Sequence, residues 1–141
     1  QYAHGNAPGH HILYLYAYSN TPKVGQKYIR QIINEFHNNT PDGMIGNDDC
    51  GQMSAWYILS SLGFYPVNPA SDEFVLGAPQ LEKAVLHLTN GNQLIIEAKN
   101  SSAQNIYTKK VFLKGIPVNE LFITYKEIMA GGNLQFQMTK K

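Results

Sequence analysis

The sequence has few charged residues and a single cysteine, and both shortages exclude classes of function. Charged residues make up 15% of the chain and the net charge is +1, so the clustered Lys and Arg that bind nucleic acid are missing. Cys50 alone cannot form an intrachain disulfide or a cysteine-rich metal cluster. No apolar run approaches the roughly 20 residues that cross a bilayer, and no signal peptide is recognisable. We therefore expect neither a nucleic-acid partner nor a membrane span.

The remaining composition is that of a folded chain. Hydrophobic residues make up 43% of the 141 residues, which is enough to form a core. The sequence begins at Gln1, without a Met, and runs directly into a patterned segment. This start suggests a part of a longer protein.

The first half of the sequence has the periodicity of helices. An apolar and aromatic run over residues 10–19 predicts a helix that is buried on nearly all sides. Thr21 and Pro22 are typical of an N-cap and a first helical position. The helix that follows is predicted to be amphipathic, with an apolar stripe flanked by Ile29 and Ile33. The stripe has an apolar residue every four positions: Val24, Tyr28, Ile32 and Phe36.

A third helix is predicted after a glycine-bearing loop. Asp49, with Gln52 three residues later, has the pattern of a capping box. Gly63 is placed to end this helix, with Phe64 packing back on it.

The second half, beyond a boundary near Pro66, has the pattern of strands. Asn90-Gly91 predicts a hairpin turn, and Thr124 with Glu127 predicts the capping box of a short helix. Short turns between consecutive strands favour an antiparallel sandwich. The predicted strands cover residues 73–76, 84–88, 94–98, 106–113, 116–118 and 134–138.

Two adjacent carboxylates, Asp48 and Asp49, precede the third helix and are the main candidates for chemistry. The N-terminus of a helix favours anions, so an Asp that faces it should stay ionised. Such a group could act as a general base or a metal ligand. The alternative is that Asp49 is only an N-cap and Asp48 its solvated neighbour.

Histidines form a second candidate near the N-terminus. His4, His10 and His11 lie in a segment with two glycines. Their spacing matches no zinc motif, because His10 and His11 are adjacent and point in different directions. They are either hydrogen-bonded histidines of the core or loop, or contacts to a ligand.

Aromatic residues of the third helix and its end leave two interpretations open. At helical spacing such rings usually belong to the core, but they could also stack on a sugar. These residues are Trp56, Tyr57, Phe64 and Tyr65.

Taken in order, these motifs resemble glycoside hydrolase family 92. The resemblance extends over essentially the whole chain and includes Leu62 to Val67, the hairpin from Leu86 to Ile96, and Gly131-Gly132. Its main motifs are Tyr2-Ala3-His4-Gly5-Asn6, Pro8, His10-His11 with Tyr14-Leu15-Tyr16, Pro41-Asp42-Gly43, and the run from Gly46 to Tyr57.

The resemblance implies an α+β fold and an architecture. Three helices from the end of an (α/α)6 barrel are followed by an antiparallel β-sandwich-like domain. Residues 1–66 would be the last helices and catalytic-base loop of the helical catalytic domain, and residues 67–141 the C-terminal β domain.

The resemblance also implies an activity. Similar proteins are calcium-dependent exo-α-mannosidases that invert configuration, are mostly bacterial, and are secreted or periplasmic. This chain would then be part of an enzyme that removes terminal α-mannose from glycans, with an α-1,2 linkage favoured. The general acid would lie upstream in the remainder of the parent chain, so these 141 residues should be inactive alone.

By the same resemblance, Asp49 is the catalytic base and Asp48 supports it. Asn6, His10 and His11 are expected to contact substrate. Ca²⁺ would bind sugar hydroxyls and help distort the ring towards the transition state, with Asp49 as an indirect metal contact. Relatives commonly have Glu where this chain has Ala7, so any role of that carboxylate is missing here.

Two other classes of function stay open at this stage. The sandwich half could be a non-catalytic carbohydrate-binding module with a helical extension, or the whole chain could be a structural interaction domain. A binding module would bind mannosides as an isolated chain, whereas a part of an enzyme would depend on Asp49.

Overall fold

The N-terminal segment forms 3-10 helix where the sequence predicts an α-helix. In the computed structural model, which describes residues 2–141, the two 3-10 helices are Ala7–Gly9 and Ile12–Tyr18. Leu13 and Tyr14 are buried, but one side of the second 3-10 helix is open. The prediction of an α-helix buried on nearly all sides is therefore wrong within the described residues. An apolar pattern indicates what a segment can bury but does not specify what will cover it.

Helix α1 comprises Pro22–Phe36 and begins at the predicted residue. Of the predicted apolar face, Ile29, Ile32 and Ile33 are buried, whereas Val24, Tyr28 and Phe36 are exposed. Gly25 permits the close approach of α1 to the second 3-10 helix, since a Cβ there would collide with the carbonyl oxygen of Leu13.

Helix α2 comprises Gln52–Leu62 and ends at Gly63, as predicted. Gly63 has a left-handed φ of 97°, and its N–H donates to the carbonyl oxygens of Leu59 and Ser60. This is the usual geometry of a glycine that terminates a helix. None of the helices between residues 2 and 141 is long and apolar enough to span a membrane.

Residues 64–139 contain eight strands and one short helix. Six of the strands lie close to the predicted positions, whereas Phe64–Tyr65 and Phe122–Thr124 were not predicted. Helix α3, Tyr125–Met129, has the predicted capping box between Thr124 and Glu127. The strands are β1 Phe64–Tyr65, β2 Glu73–Leu76, β3 Lys83–His87, β4 Gln93–Lys99, β5 Tyr107–Leu113, β6 Ile116–Val118, β7 Phe122–Thr124 and β8 Gly132–Thr139.

The strands form two sheets. The smaller sheet has the order β1-β2-β7 and the larger has the order β3-β4-β8-β5-β6. All pairs are antiparallel except β4 and β8, which run parallel in the middle of the larger sheet. This pair joins strands that are distant in the sequence, so turn signals between consecutive strands could not predict it.

Two hydrophobic cores hold the fold together. The first lies between the two sheets, and Phe136 at its centre is fully buried. The second lies under the helices around Trp56 and also takes in Tyr65 and Val75 from the smaller sheet. Leu59 packs against both cores. The division into residues 1–66 and 67–141 stays a prediction, since β1 already lies before it.

Gly63 gives a direct test of the junction between helix and sheets. In Gly63→Ala a Cβ would lie 2.8 Å from Cδ of Pro79 and 3.1 Å from Cζ of Phe136, in addition to the left-handed φ. We expect a loss of at least ~2 kcal/mol in the free energy of unfolding, measured with urea. Gly91→Ala is the matched control, because Gly91 has a φ of 86° and no atom lies within 4 Å of its Cβ position. An equal loss in both variants would contradict the packing argument.

Candidate functional site

Three consecutive residues in the left-handed region join the acidic loop to helix α2. Asp49, Cys50 and Gly51 have φ values of 44°, 62° and 90°. Outside glycine this conformation costs ~1–2 kcal/mol per residue. Such strain persists only where surrounding contacts hold it, and it is concentrated at functional sites.

The Asp48 carboxylate is one of the contacts that hold this turn. The backbone N–H of Ser54 donates to Oδ1 of Asp48 at 2.8 Å, and the Ser54 hydroxyl donates to Oδ2 at 3.0 Å. The carbonyl oxygen of Asp48 also accepts from the backbone N–H of Met53 at 3.3 Å. Asp48 therefore satisfies amides of the first turn of α2, and both its carboxylate oxygens are engaged.

Asp49 does not cap the helix, so the predicted capping box with Gln52 is wrong. Gly51 occupies the N-cap position, and no side chain makes a cap hydrogen bond there. A capping residue needs an extended backbone, which the left-handed φ of Asp49 excludes. Asp49 is exposed, and within residues 2–141 its carboxylate accepts no hydrogen bond. The loop thus presents one fixed and one free carboxylate.

The segment that contains Asn6 packs directly against the acidic loop. A Cβ on Gly46 would lie 3.2 Å from the carbonyl oxygen of Gly5, so the two backbones approach closely, and the φ of 74° at Gly46 also favours glycine. Asn6 follows Gly5 and is exposed, and its carbonyl oxygen accepts from the N–H of Gly9 at 2.9 Å. The structure therefore places the backbone next to Asn6 against Gly46, at the start of the acidic loop. Ala7 offers no carboxylate at this edge.

His10 lies behind the site, in the helical core. It is 1% exposed; its Nε2 donates to the carbonyl oxygen of His4 at 2.9 Å, and its Nδ1 accepts from Gln52 Nε2 at 3.2 Å. These partners assign the proton to Nε2. The half-buried ring of His11 makes no hydrogen bond within the described residues. Contact of His10 or His11 with substrate stays a prediction.

His4 and His37 lie next to His10 and form a histidine cluster with it. His4 Nε2 lies 3.2 Å from His37 Nε2, and His4 Nδ1 lies 2.8 Å from the hydroxyl of Tyr2. Burial, followed by the nearby His10 and His37, lowers the pKa of His4 to about 3. Burial and His10 also lower the pKa of His37. Both rings are therefore neutral at physiological pH.

Across residues 2–141 the acidic side chains are not gathered into a group that could hold calcium. Ca²⁺ takes six to eight oxygens, whereas residues 2–141 contain no group of three His, Cys, Asp or Glu that could hold a metal. Asp48 is already occupied by Ser54, which leaves Asp49 as the free carboxylate of the loop. These residues therefore do not make a calcium site by themselves, and no step proposed below depends on a metal.

Several residues of the site were missed by the sequence prediction. Ser54 lies six residues after Asp48, and no helix-capping rule includes that spacing. His4 belongs to a motif of the resemblance and to the histidine segment but was assigned no role, and His37 lies in no motif. Among the aromatic residues, Trp56 is buried as the core interpretation predicts, whereas Tyr57 is 37% exposed.

The chain is similar over its whole length to solved structures. An α-mannosidase of family GH92 from Bacteroides thetaiotaomicron is 44% identical with a TM-score of 0.94, and the match covers 99% of this chain and 19% of that one. Its complex with mannoimidazole gives 43% identity, a TM-score of 0.93, and coverage of 98% and 18%. A family GH92 inverting mannosidase of the same organism is 36% identical with a TM-score of 0.90, covering 99% and 19%.

The similarity extends to a curated protein and to a family description. An uncharacterized secreted glycosidase of Arthroderma benhamiae is 26% identical over 140 residues, which are 97% of this chain and 18% of that protein. The chain thus spans about a fifth of the length of these relatives. The glycosyl hydrolase family 92 catalytic domain matches residues 1–140. The chain therefore belongs to glycosyl hydrolase family 92.

Proposed function

We propose that this chain supplies the general-base side of the active site of an inverting exo-α-mannosidase. The observation that carries the proposal is the difference between two adjacent carboxylates. Asp48 accepts two hydrogen bonds from Ser54, whereas the carboxylate of Asp49 is exposed and accepts none within the described residues. A relative named as an inverting mannosidase and another solved with mannoimidazole support the reaction and the sugar. Terminal α-mannose of glycans, with an α-1,2 linkage favoured, is the proposed substrate.

In this proposal Asp49 accepts a proton from the water that attacks the anomeric carbon. A base needs an unoccupied carboxylate oxygen within hydrogen-bond reach of its water, and Asp49 offers one. Asp48 fixes the turn on α2 and so sets the position of Asp49 beside it. Asn6, at the adjacent edge, donates to or accepts from hydroxyl groups of the sugar.

The general acid belongs to the remainder of the parent chain. An inverting glycosidase needs its two carboxyl groups roughly 6.5–9.5 Å apart, with the water between base and sugar. A partner segment is supported by the apolar side chains that the helical half leaves exposed, among them Ile12, Leu15, Tyr18 and Tyr28. The longer enzyme would cover this surface, bind calcium, and act in the periplasm or outside a bacterial cell.

Asp49→Asn in the longer enzyme tests the base. Removing a general base lowers kcat by roughly 10²–10⁴-fold, so we expect mannose release to fall by that factor without a change in thermal unfolding. Asp72→Asn, at an exposed aspartate before β2, is the matched control and should retain full activity. Turnover by the Asp49→Asn enzyme at the wild-type rate would refute the assignment.

Ser54→Ala tests the supporting role of Asp48. The variant keeps the backbone N–H but loses the hydroxyl that binds Oδ2 of Asp48 at 3.0 Å. A hydrogen bond to a charged group contributes ~1.5–3 kcal/mol at most, so we expect kcat to fall about tenfold, with recovery in Ser54→Thr. The effect should disappear in an Asp48→Asn background, because the two residues act through one interaction. Additive losses in the double variant would indicate separate roles.

The low pKa of His4 predicts how the free energy of unfolding depends on pH. In the unfolded chain His4 takes up a proton near pH 6.5, whereas the folded state resists protonation down to about pH 3. The unfolded state therefore binds more protons between these values, and stability falls as pH falls through this window. At 1.36 kcal/mol per unit, His4 alone should lower the free energy of unfolding by about 3 kcal/mol between pH 7 and pH 4.

Urea unfolding of the chain at several pH values measures this effect. His4→Asn should flatten the dependence, while His87→Asn, at an exposed position of β3, should leave it as in the wild type. A pH dependence that is the same in the wild type and in His4→Asn would contradict the role of His4.

A further inference from the structure

One guanidinium at the junction of helix α1 with the rest of the fold has too few partners for its charge. Arg30 is half-buried, and its Nη2 donates to the carbonyl oxygen of Pro79 at 2.7 Å. Its Nε is buried and makes no hydrogen bond within residues 2–141. The salt bridge found among these residues joins Lys99 to Glu97, so none of their carboxylates lies within 4 Å of Arg30.

The charge of this group cannot be lost to avoid the cost of burial. Burial lowers the pKa of Arg30, but a guanidinium stays charged at physiological pH. Burying a charge is unfavourable unless an opposite charge and hydrogen bonds offset the lost hydration. A single carbonyl oxygen offsets only part of that cost.

Two other buried polar atoms without a partner lie at the same junction. They are Oγ of Ser61 on α2 and Oε1 of Gln80, and with Nε of Arg30 they are the buried side-chain atoms of the described residues that make no hydrogen bond. The N–H of Gln80 donates to the carbonyl oxygen of Ser61 at 3.0 Å, and Gln80 directly follows Pro79. Native proteins rarely leave such groups unpaired, so the junction has the character of an incomplete contact.

The position of Arg30 on α1 leaves its guanidinium within reach of another segment. The N–H of Thr108 in β5 donates to Oε1 of Gln26 at 3.0 Å. Arg30 lies four residues after Gln26, one helical turn further along the same side. Its neighbour Ile29 is buried, whereas Arg30 itself keeps part of its surface exposed. The guanidinium therefore lies at the edge of the packed side of α1.

The exposed side of α1 next to Arg30 is basic. Lys23, Lys27 and Arg30 are spaced by four and three residues, which places them along one side of the helix. Both lysines are exposed. The one acidic residue of α1, Glu35, accepts a hydrogen bond from Gln31 at 3.0 Å. A carboxylate that approaches this basic side meets a favourable potential.

We propose that Arg30 forms an ion pair with an Asp or Glu side chain from the part of the longer enzyme outside these 141 residues. The chain spans about a fifth of the length of its relatives, so most of that enzyme lies elsewhere. A guanidinium donates two parallel N–H groups to a carboxylate, and the contact with Pro79 occupies only one donor. Water can satisfy these donors but brings no counter-charge. The exposed Tyr28 on the same helix also indicates that a further segment packs here.

Carbodiimide cross-linking of the longer enzyme tests this ion pair. The reagent joins an amine to a carboxylate where the two are in contact, and it leaves guanidinium groups unchanged. In Arg30→Lys we therefore expect a new cross-linked peptide that joins residue 30 to an Asp or Glu outside the 141 residues. Mass spectrometry of a digest detects this peptide, and the wild-type enzyme should lack it.

Gln31→Lys is the matched control for position. Gln31 is exposed and adjacent to Arg30, but its side chain points about 100° further around the helix, so it should give no link to the same acid. Lys27, one turn before Arg30 on the basic side, should be cross-linked to the same segment in the wild-type enzyme. This native link keeps the test decisive if Arg30→Lys does not fold.

Charge reversal separates the ion pair from the contact with Pro79. Arg30→Glu places like charges together and should lower the midpoint of thermal unfolding of the longer enzyme. Replacing the cross-linked acid by Arg in the same variant should restore at least half of that loss. A role of Arg30 that is limited to the Pro79 carbonyl oxygen predicts no recovery.

Each result decides the proposal. Links from residue 30 that reach only carboxylates within the 141 residues would overturn it, as would the absence of any link from residue 30 and Lys27 in the folded enzyme. If inorganic phosphate stabilises the wild type but not Arg30→Met, the guanidinium binds a small anion and the proposal is also wrong. None of these measurements depends on Asp49, so the ion pair and the proposed catalytic role can fail separately.

Discussion

The burial of one indole ring is the constraint on which the site depends. Trp56 is fully buried on α2, and its Nε1 donates to the carbonyl oxygen of His10 at 3.1 Å. The ring packs edge-on against His4 with centroids 4.2 Å apart, and its face stacks on His37. Three stretches of the chain that are separate in sequence therefore meet on one side chain. A buried indole whose N–H has a partner combines a large apolar contact with a fixed orientation.

This arrangement explains why the histidines are internal although their residue type suggests a ligand site. A histidine cluster can bind metal only when several ring nitrogens converge on an open point. Here the nitrogens of His10 point at a carbonyl oxygen and at Gln52, and His4 is shared between Tyr2 and His37. The cluster is a scaffold that fixes the N-terminal segment against α2, and Asn6 and the acidic loop are held at its edge.

The contrast between Asp48 and Asp49 illustrates how the backbone can assign different roles to identical neighbours. The left-handed turn folds the first carboxylate back onto the amides of α2 and leaves the second in the open. A cavity completed by other parts of the family domain would then contain one mobile proton acceptor and not two competing ones.

Features set by short-range chemistry could be predicted from the sequence. The helix end at Gly63, the capping box of Thr124 with Glu127, and the strands from β2 onward other than β7 are determined by local conformational preferences, and the structure has them where they were expected. The capping residue of α2 was predicted wrongly because residues 49–51 adopt a left-handed turn. This turn is held by hydrogen bonds between Asp48 and Ser54, six residues later. The 3-10 form of residues 12–18 also depends on tertiary contacts, since Gly25 of α1 packs closely against that backbone.

The parallel pair in the larger sheet has a consequence for how the chain acquires its structure. Strand β8 ends at Thr139, and it lies between β4 and β5. The centre of the sheet is therefore completed by residues that leave the ribosome after all the other strands, and the strands on either side of it must wait with unpaired edges. Closure of long loops slows folding and leaves strand edges open to aggregation. A chain that stopped before Gly132 would thus lack the central strand of the larger sheet.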